Sequence, residues 1–255
     1  GSSPLTLDVS NITQGYFVAQ SDSADLVTSL QITAPTGVLY AYFIDPGENA
    51  VIPFTEGNGD YTVVGYQQIQ GDQYAALYSE ILTVELENDF LPFLYPNQYV
   101  NFSPDSEASK LALSMVSEDT TDVDALKQIY NYVVNNLTYD YDKAETVETG
   151  YLPDVDETLS TKTGICFDYA ALTTAMLRSC DIPCKLQIGY TGDIKHAWID
   201  VYIRSKGWVT GAVSFNGDSW SLMDPTFDSS ADSDDTEAIQ DYIGNADNYT
   251  VQFTR

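Results

Sequence analysis

Three residues far apart in this 255-residue chain carry the side chains of a nucleophilic catalyst. They are Cys166 in "TGICFDYAALTTAMLRSC", His196 in "KHAWIDVYI" and Asp224 in "WSLMDPTFD". A thiol attacks well once an imidazole takes its proton. The imidazole serves best when a carboxylate fixes its tautomer and supports its cationic form. Such a trio opens attack on an amide carbonyl, with an acyl group left on sulfur and a proton delivered to the departing amine. Each residue also has a plainer reading: a packed inert thiol, a surface or core histidine, a loop carboxylate.

The elements that must position these groups are legible around them. Ile165, Tyr169, Leu172 and Met176 recur at helical spacing, and Ala170, Ala171 and Ala175 let another element approach closely. Cys166 therefore falls in the first turn of a helix, where free N–H groups and the positive end of the dipole favour a thiolate. Gly164 relaxes the backbone just before it. In "KHAWIDVYI" strand alternation puts Ala197, Ile199, Val201 and Ile203 on one face and His196, Trp198, Asp200 and Tyr202 on the other. Asp224 precedes Pro225, which biases it toward extended backbone. Asp200 competes as the orienting acid, but four strand residues put it about 13 Å from His196. Asp193 and Asp228 stay open as alternatives. For the oxyanion, the N–H of Cys166 is one donor, and Tyr151 in "GYLPDVD" is the candidate for a second. Trp198 walls the site or packs in the core. Asp168 reads as a partner of the helix dipole.

Taken together, "TGICFDYAALTTAMLRSCDIPCKLQIGY", "HAWIDVYI" and "WSLMDPTFD" resemble the transglutaminase-like superfamily, over about residues 105 to 228. In that family a Gly-x-Cys opens a helix ending in an Arg and a Gly-Ile-Pro turn, a His-Ala-Trp begins a strand, and an Asp-Pro-Thr closes the core. The resemblance implies Cys166 as nucleophile, His196 as base and Asp224 as orienting acid on a papain-like α+β core. It also implies acyl-thioester chemistry, which family members use to cross-link Gln to Lys, deamidate, cleave peptides or deglycosylate; some have lost activity. Asp181 departs from the pattern, standing where the family has Gly, and Cys184 is unusual there.

Upstream the texture differs. Residues 5 to 86 read as strands: "LTLDVS" alternates, "VLYAYFI", "YTVVGYQQI" and "YAALYSEILTVELE" are rich in Tyr and β-branched residues, and "EGNGD" and "QGDQ" punctuate them. This describes a small Ig-like β-sandwich of residues 1–88, a type of domain that resembles those fused to exported bacterial members of the family. Residues 89–104 read as an ordered linker, with prolines at 92, 96 and 104. The remainder of 89–255 is the transglutaminase-like catalytic domain. It opens with helices in "SPDSEASKLALSMVS", carried by Leu111 and Met115, and in "TDVDALKQIYNYVVNNL", carried by Val123, Leu126, Ile129, Tyr130, Val133 and Leu137. The long polar stretch between that helix and Cys166 is of a length that usually signals function or disorder. The fold class is α+β.

Composition excludes several functions. With 38 acidic residues against 10 basic ones and a net charge of −28, the chain lacks the clustered cations that nucleic acid requires. No stretch is long and apolar enough to span a bilayer. The acidity points to an exported protein, extracellular or attached to the cell envelope, and the opening "GSSP" reads as a cloning remnant that has replaced an export signal. Three cysteines make no disulfide framework, although Cys180 and Cys184 could bridge the short "DIP" loop. The acidic run "DSSADSDDTEAIQD" lacks the glycine and closing glutamate of an EF-hand loop and reads as a solvated surface. With one histidine in the chain, neither a metal nor another cofactor is expected. The expected partner is a peptide or protein substrate, cell-wall and surface proteins among the candidates. The expected function is a cysteine enzyme acting on amide bonds through a thioester; the rival is a catalytically silent binding or scaffold module on the same fold.

Overall fold

Alternating apolar and polar residues build seven strands in the first part of the chain: β1 (Leu5–Asp8), β2 (Tyr16–Ser21), β3 (Thr28–Thr33), β4 (Leu39–Ile44), β5 (Asn49–Pro53), β6 (Gly59–Gln70) and β7 (Gln73–Val84). They pair antiparallel into two sheets, ordered β1-β2-β5 and β4-β3-β6-β7. Strand β4 shows the cause: Tyr40, Tyr42 and Ile44 are buried, while Leu39, Ala41 and Phe43 face outward. Rings from both sheets meet in the interior. Phe17 of β2 lies 5.4 Å from Phe54, which lies 4.8 Å from Tyr61 of β6, centroid to centroid. The β6–β7 hairpin turns on Gly71 and Asp72, between the paired Gln70 and Gln73. Gly71 takes φ +53 there, as a two-residue turn of this kind needs.

The computed structural model describes residues 3–215, 220–222 and 249–255, apart from the side chains at 191, 194, 214, 215 and 220–222. The chain divides into two compact units, Gly1–Gln98 and Tyr99–Arg255. Composition alone places the change of texture near residue 88. The following stretch packs onto the first unit: the Gln98 N–H donates to the Val51 carbonyl at 3.0 Å, Gln98 Nε2 to the Phe43 carbonyl at 2.7 Å, and the Tyr95 hydroxyl to Gln14 Oε1 at 3.0 Å.

The second unit begins with α1 (Glu107–Met115) and α2 (Asp122–Asn136). After them come β8 (Thr138–Tyr139), α3 (Tyr141–Thr146), α4 (Val155–Thr161), β9 (Thr163–Gly164) and α5 (Cys166–Ser179). It ends with β10 (Cys184–Thr191), β11 (Ile194–Ile203), β12 (Gly207–Phe215), β13 (Trp220–Leu222) and β14 (Tyr249–Thr254). The last five strands form one antiparallel sheet ordered β13-β12-β11-β10-β14, and β8 pairs parallel with β9. Helix starts are marked by caps. The Thr121 side chain accepts the Asp124 N–H ahead of α2, and Asp154 accepts the N–H groups of Asp156 and Glu157 ahead of α4.

Helix α5 is buried on every side from Asp168 to Arg178, which explains its small residues. Its neighbours must come close, so α1 turns Ala108, Ser109 and Ala112 inward, and Ser179 donates to Ser109 at 2.9 Å. Leu111 and Met115, the stripe expected to face the core, are only partly buried. A core that needs a close helix–helix approach selects small side chains over large ones. The stripe on α2 holds at Leu126, Ile129 and Val133. On the other flank, Ala197, Ile199, Val201 and Ile203 of β11 join the same core as α5.

The end of α5 explains the departure at Asp181. This residue adopts φ +57, the left-handed position just past a helix, where its N–H reaches the Arg178 carbonyl at 3.0 Å and the next N–H, of Ile182, reaches Leu177 at 3.1 Å. The buried Arg178 guanidinium donates to the carbonyls of Cys184 and Arg255, tying the helix end to the sheet. Cys180 and Cys184 are both free thiols, so the short disulfide does not form; Cys184 instead approaches the Thr174 hydroxyl at 3.6 Å. Asp181→Gly removes a left-handed Cβ penalty of about 1 kcal/mol. It is expected to raise Tm by about 2–4 °C in a thermal melt, whereas Asp181→Val is expected to lower it.

Candidate active site

Cys166 is the first residue of α5, and Ile165 before it is extended, so the thiol sits at the mouth of the helix. The backbone N–H of Ala197 on β11, then those of Phe167 and Cys166 itself, lie near enough to the sulfur to favour its anion. Strand β12 joins β11 only from Trp198 onward. The start of β11 is therefore open on that side among the described residues, and its amide can turn to the thiol. His196 is the residue before Ala197, one Cα step of about 3.8 Å along the strand. The structure thus brings Cys166 to the strand end that carries His196. Asp224 and Asp228 lie outside the described residues. Asp193 is exposed in the turn that opens β11.

Burial decides the charge state of this pair. It pushes the Cys166 thiol above its ordinary 9.0, against the opposing pull of the three N–H groups. Burial also pushes His196 below its ordinary 6.5. The thiolate expected from the helix terminus alone is therefore not the resting form. Thiol and neutral imidazole are.

The first turn of α5 is held by Asp168, which is fully buried. Its Oδ2 accepts the Ile165 N–H at 2.8 Å and lies 2.9 Å from Lys143 Nζ. Its Oδ1 accepts the Tyr151 hydroxyl, and that hydroxyl accepts from Lys143 Nζ at 2.6 Å. Burial first, then the bond to Asp168, raises the Tyr151 phenol to about 12. Tyr151, put forward from sequence as an oxyanion donor, is thus placed on Asp168 and Lys143. Gly164 has no left-handed backbone; its role is space. A Cβ there would lie 2.7 Å from the Asp168 Cβ.

Two of these groups have weak sequence signals. Lys143 is one lysine in the long polar stretch, and only its fold position shows its partner. Tyr139 is placed by the β8–β9 pairing, which sets it opposite Gly164; burial first, then the neighbouring Cys166, raises its phenol.

Trp198 is wholly buried, its ring 4.9 Å from that of Tyr249. It crosses Gly189, where a Cβ would fall 2.0 Å from the Thr250 carbonyl and 2.9 Å from the indole. This is packing within the sheet. Asp200 is also buried and accepts from Gln187 Nε2 at 2.9 Å and the Gly211 N–H at 2.8 Å, a network separate from His196. The acidic run 228–241 lies outside the described residues. Among the described residues no cluster of His, Cys, Asp or Glu could hold a metal ion, and no helix is long and apolar enough to cross a membrane.

Residues 109–211 match the sequence model of the transglutaminase-like superfamily, so the second unit carries a transglutaminase-like domain. The chain is 24% identical over 183 residues to the uncharacterized protein YebA of Bacillus subtilis, an alignment covering 63% of this chain and 25% of that protein. It is 40% identical over 62 residues to the UPF0252 protein MJ1282 of Methanocaldococcus jannaschii, covering 22% of this chain and 18% of the other. The alignments thus take in a quarter or less of these relatives' length. Among solved structures it is similar to a "putative cysteine protease" from Cytophaga hutchinsonii, with TM-score 0.44 and 18% identity over 94% of this chain and 79% of that one.

The neutral pair gives a signed pH prediction. Iodoacetamide labelling of Cys166, followed by peptide mapping, is expected to climb with pH through a midpoint above 9. Cys180 and Cys184, raised to about 11 and about 12 by burial, should lag behind. A Cys166 rate already at its plateau at pH 7 would contradict the assignment. Gly164→Ala, which drives a methyl into Asp168, is expected to cost about 1–3 kcal/mol in urea unfolding.

Proposed function

We propose that this protein is a cysteine enzyme that acts on amide bonds of a peptide or protein through an acyl-thioester on Cys166. The observation that carries the reading is the packing of Cys166, at the mouth of α5, against the core that includes Ala197 of β11, one residue from His196. In the proposed sequence, His196 receives the thiol proton as sulfur bonds to the carbonyl carbon. The Cys166 N–H is the candidate donor to the oxyanion. The C–N bond then breaks, the proton passes from His196 to the leaving amine, and the thioester remains. Asp224, by family resemblance, orients the imidazole. Water completes a hydrolysis or deamidation; an amine completes a transfer. Hydrolysis is the preferred outcome because water needs no second binding site.

A neutral imidazole suits this role, because burial lowers His196 from its ordinary 6.5 and so favours the base form at neutral pH. The first unit, with strands ordered β1-β2-β5 and β4-β3-β6-β7, supports an Ig-like reading and a role as spacer or docking surface. The acidity of the chain supports a site of action outside the cell or at its envelope.

The second reading, a silent scaffold, draws on the raised thiol of Cys166. A Gln-containing peptide library, incubated with and without a primary amine, separates the two. Ammonia or new amine termini without amine incorporation mark a hydrolase or deamidase, and incorporation marks a transferase. All signals should vanish in Cys166→Ala and fall by at least about a hundredfold in His196→Ala. A library left unchanged by the native protein, or a signal that survives Cys166→Ala, sinks the enzyme reading.

A further inference from the structure

The groups that could act beyond the thiol and imidazole converge on one point, the buried carboxylate of Asp168. Lys143 comes from α3, Tyr151 from the loop after it, and the Ile165 N–H from the entry to α5. All three meet Asp168, two residues from Cys166 in the same helical turn. Lys143 Nζ also lies 4.5 Å from the Tyr151 ring centroid, so the lysine and the tyrosine are joined by charge, hydrogen bond and ring face at once. The Tyr151 ring also meets Phe167 of α5 edge-on, centroids 6.4 Å apart. Asp168 partners the helix N-terminus, as its place in the first turn predicts, and holds a specific cation as well.

We propose that Lys143, Tyr151 and Asp168 form a latch that fixes the 141–151 segment against the first turn of α5 and so sets the position and the charge surroundings of the Cys166 thiol. This builds on the reading of Cys166 as the nucleophile. The three are positioning residues. Asp168 anchors the N–H of Ile165, which fixes where α5 begins and hence where sulfur sits. Lys143 offsets the carboxylate's negative charge, which otherwise bears directly on the nearby thiol. Tyr151 closes the loop over the pair. The other titratable group coupled to the thiol is Tyr139 of β8, whose ring meets Tyr141 of α3; His196 lies on β11 beside Ala197. Burial raises Tyr139, Tyr151 is raised to about 12, and at Lys143 burial pulls down while the bonds to Tyr151 and Asp168 raise it overall.

The test uses the full chain and the pH dependence of iodoacetamide labelling at Cys166, which reads the thiol whether or not a substrate turns over. Asp168→Asn keeps the shape and removes the negative charge, so the labelling midpoint should fall by about one pH unit. Lys143→Met keeps the stem and leaves the carboxylate uncompensated, so the midpoint should rise by a similar amount. Shifts of opposite sign support the latch; shifts of the same sign, or none, overturn it. A merely structural role would loosen the helix in both variants and move both midpoints the same way, toward a solvated thiol. Should Asp168→Asn fail to fold, Lys143→Met decides alone: an upward shift supports the proposal and an unchanged or lower midpoint overturns it. If the midpoints split while the peptide assay stays silent, the latch stands and the enzymatic reading falls.

Discussion

Everything at the site depends on the complete burial of α5. A helix with no solvent face cannot slide or rotate to suit one side chain. Its two ends must be fixed, and each is fixed by a buried charge. At the start, Asp168 holds the Ile165 N–H; at the finish, Arg178 holds the carbonyls of Cys184 and Arg255. Between them Ala170, Ala171, Leu172, Ala175 and Met176 lie fully buried. Cys166 inherits its place from this arrangement, and the Ala197 amide meets it there because β12 leaves the beginning of β11 uncovered among the described residues.

The same burial sets the chemistry. A solvated helix terminus would favour a thiolate, but here the loss of water outweighs the N–H groups, so the thiol keeps its proton. His196, half-buried, stays neutral for the same reason.

Much of this was legible in the sequence, for identifiable reasons. The α5 stripe and the alternation in β11 are long and regular, and Cys166 followed from where the stripe begins. The small residues of α5 announced a close approach, but not that α1 would answer with Ala108 and Ala112 in preference to Leu111. That choice is made by the partner's shape, which no single helix contains. Asp181 was visible as a departure from the family pattern, yet its left-handed backbone appears only in the fold. Gly164 was read for backbone freedom when its purpose is room for the Asp168 side chain. Lys143 and Tyr139 carry no local signature, because their roles arise from a two-residue strand pairing and a loop that returns to α5.

The central claim is that the Cys166 sulfur becomes acylated. The most direct measurement is peptide mapping by mass spectrometry of protein acid-quenched within one turnover of a cleaved or deamidated substrate. The account predicts a hydroxylamine-labile adduct on Cys166, of the mass of the acyl fragment and absent from Cys166→Ser. Turnover with that sulfur unmodified at every quench time, or an adduct on a different residue, would contradict it.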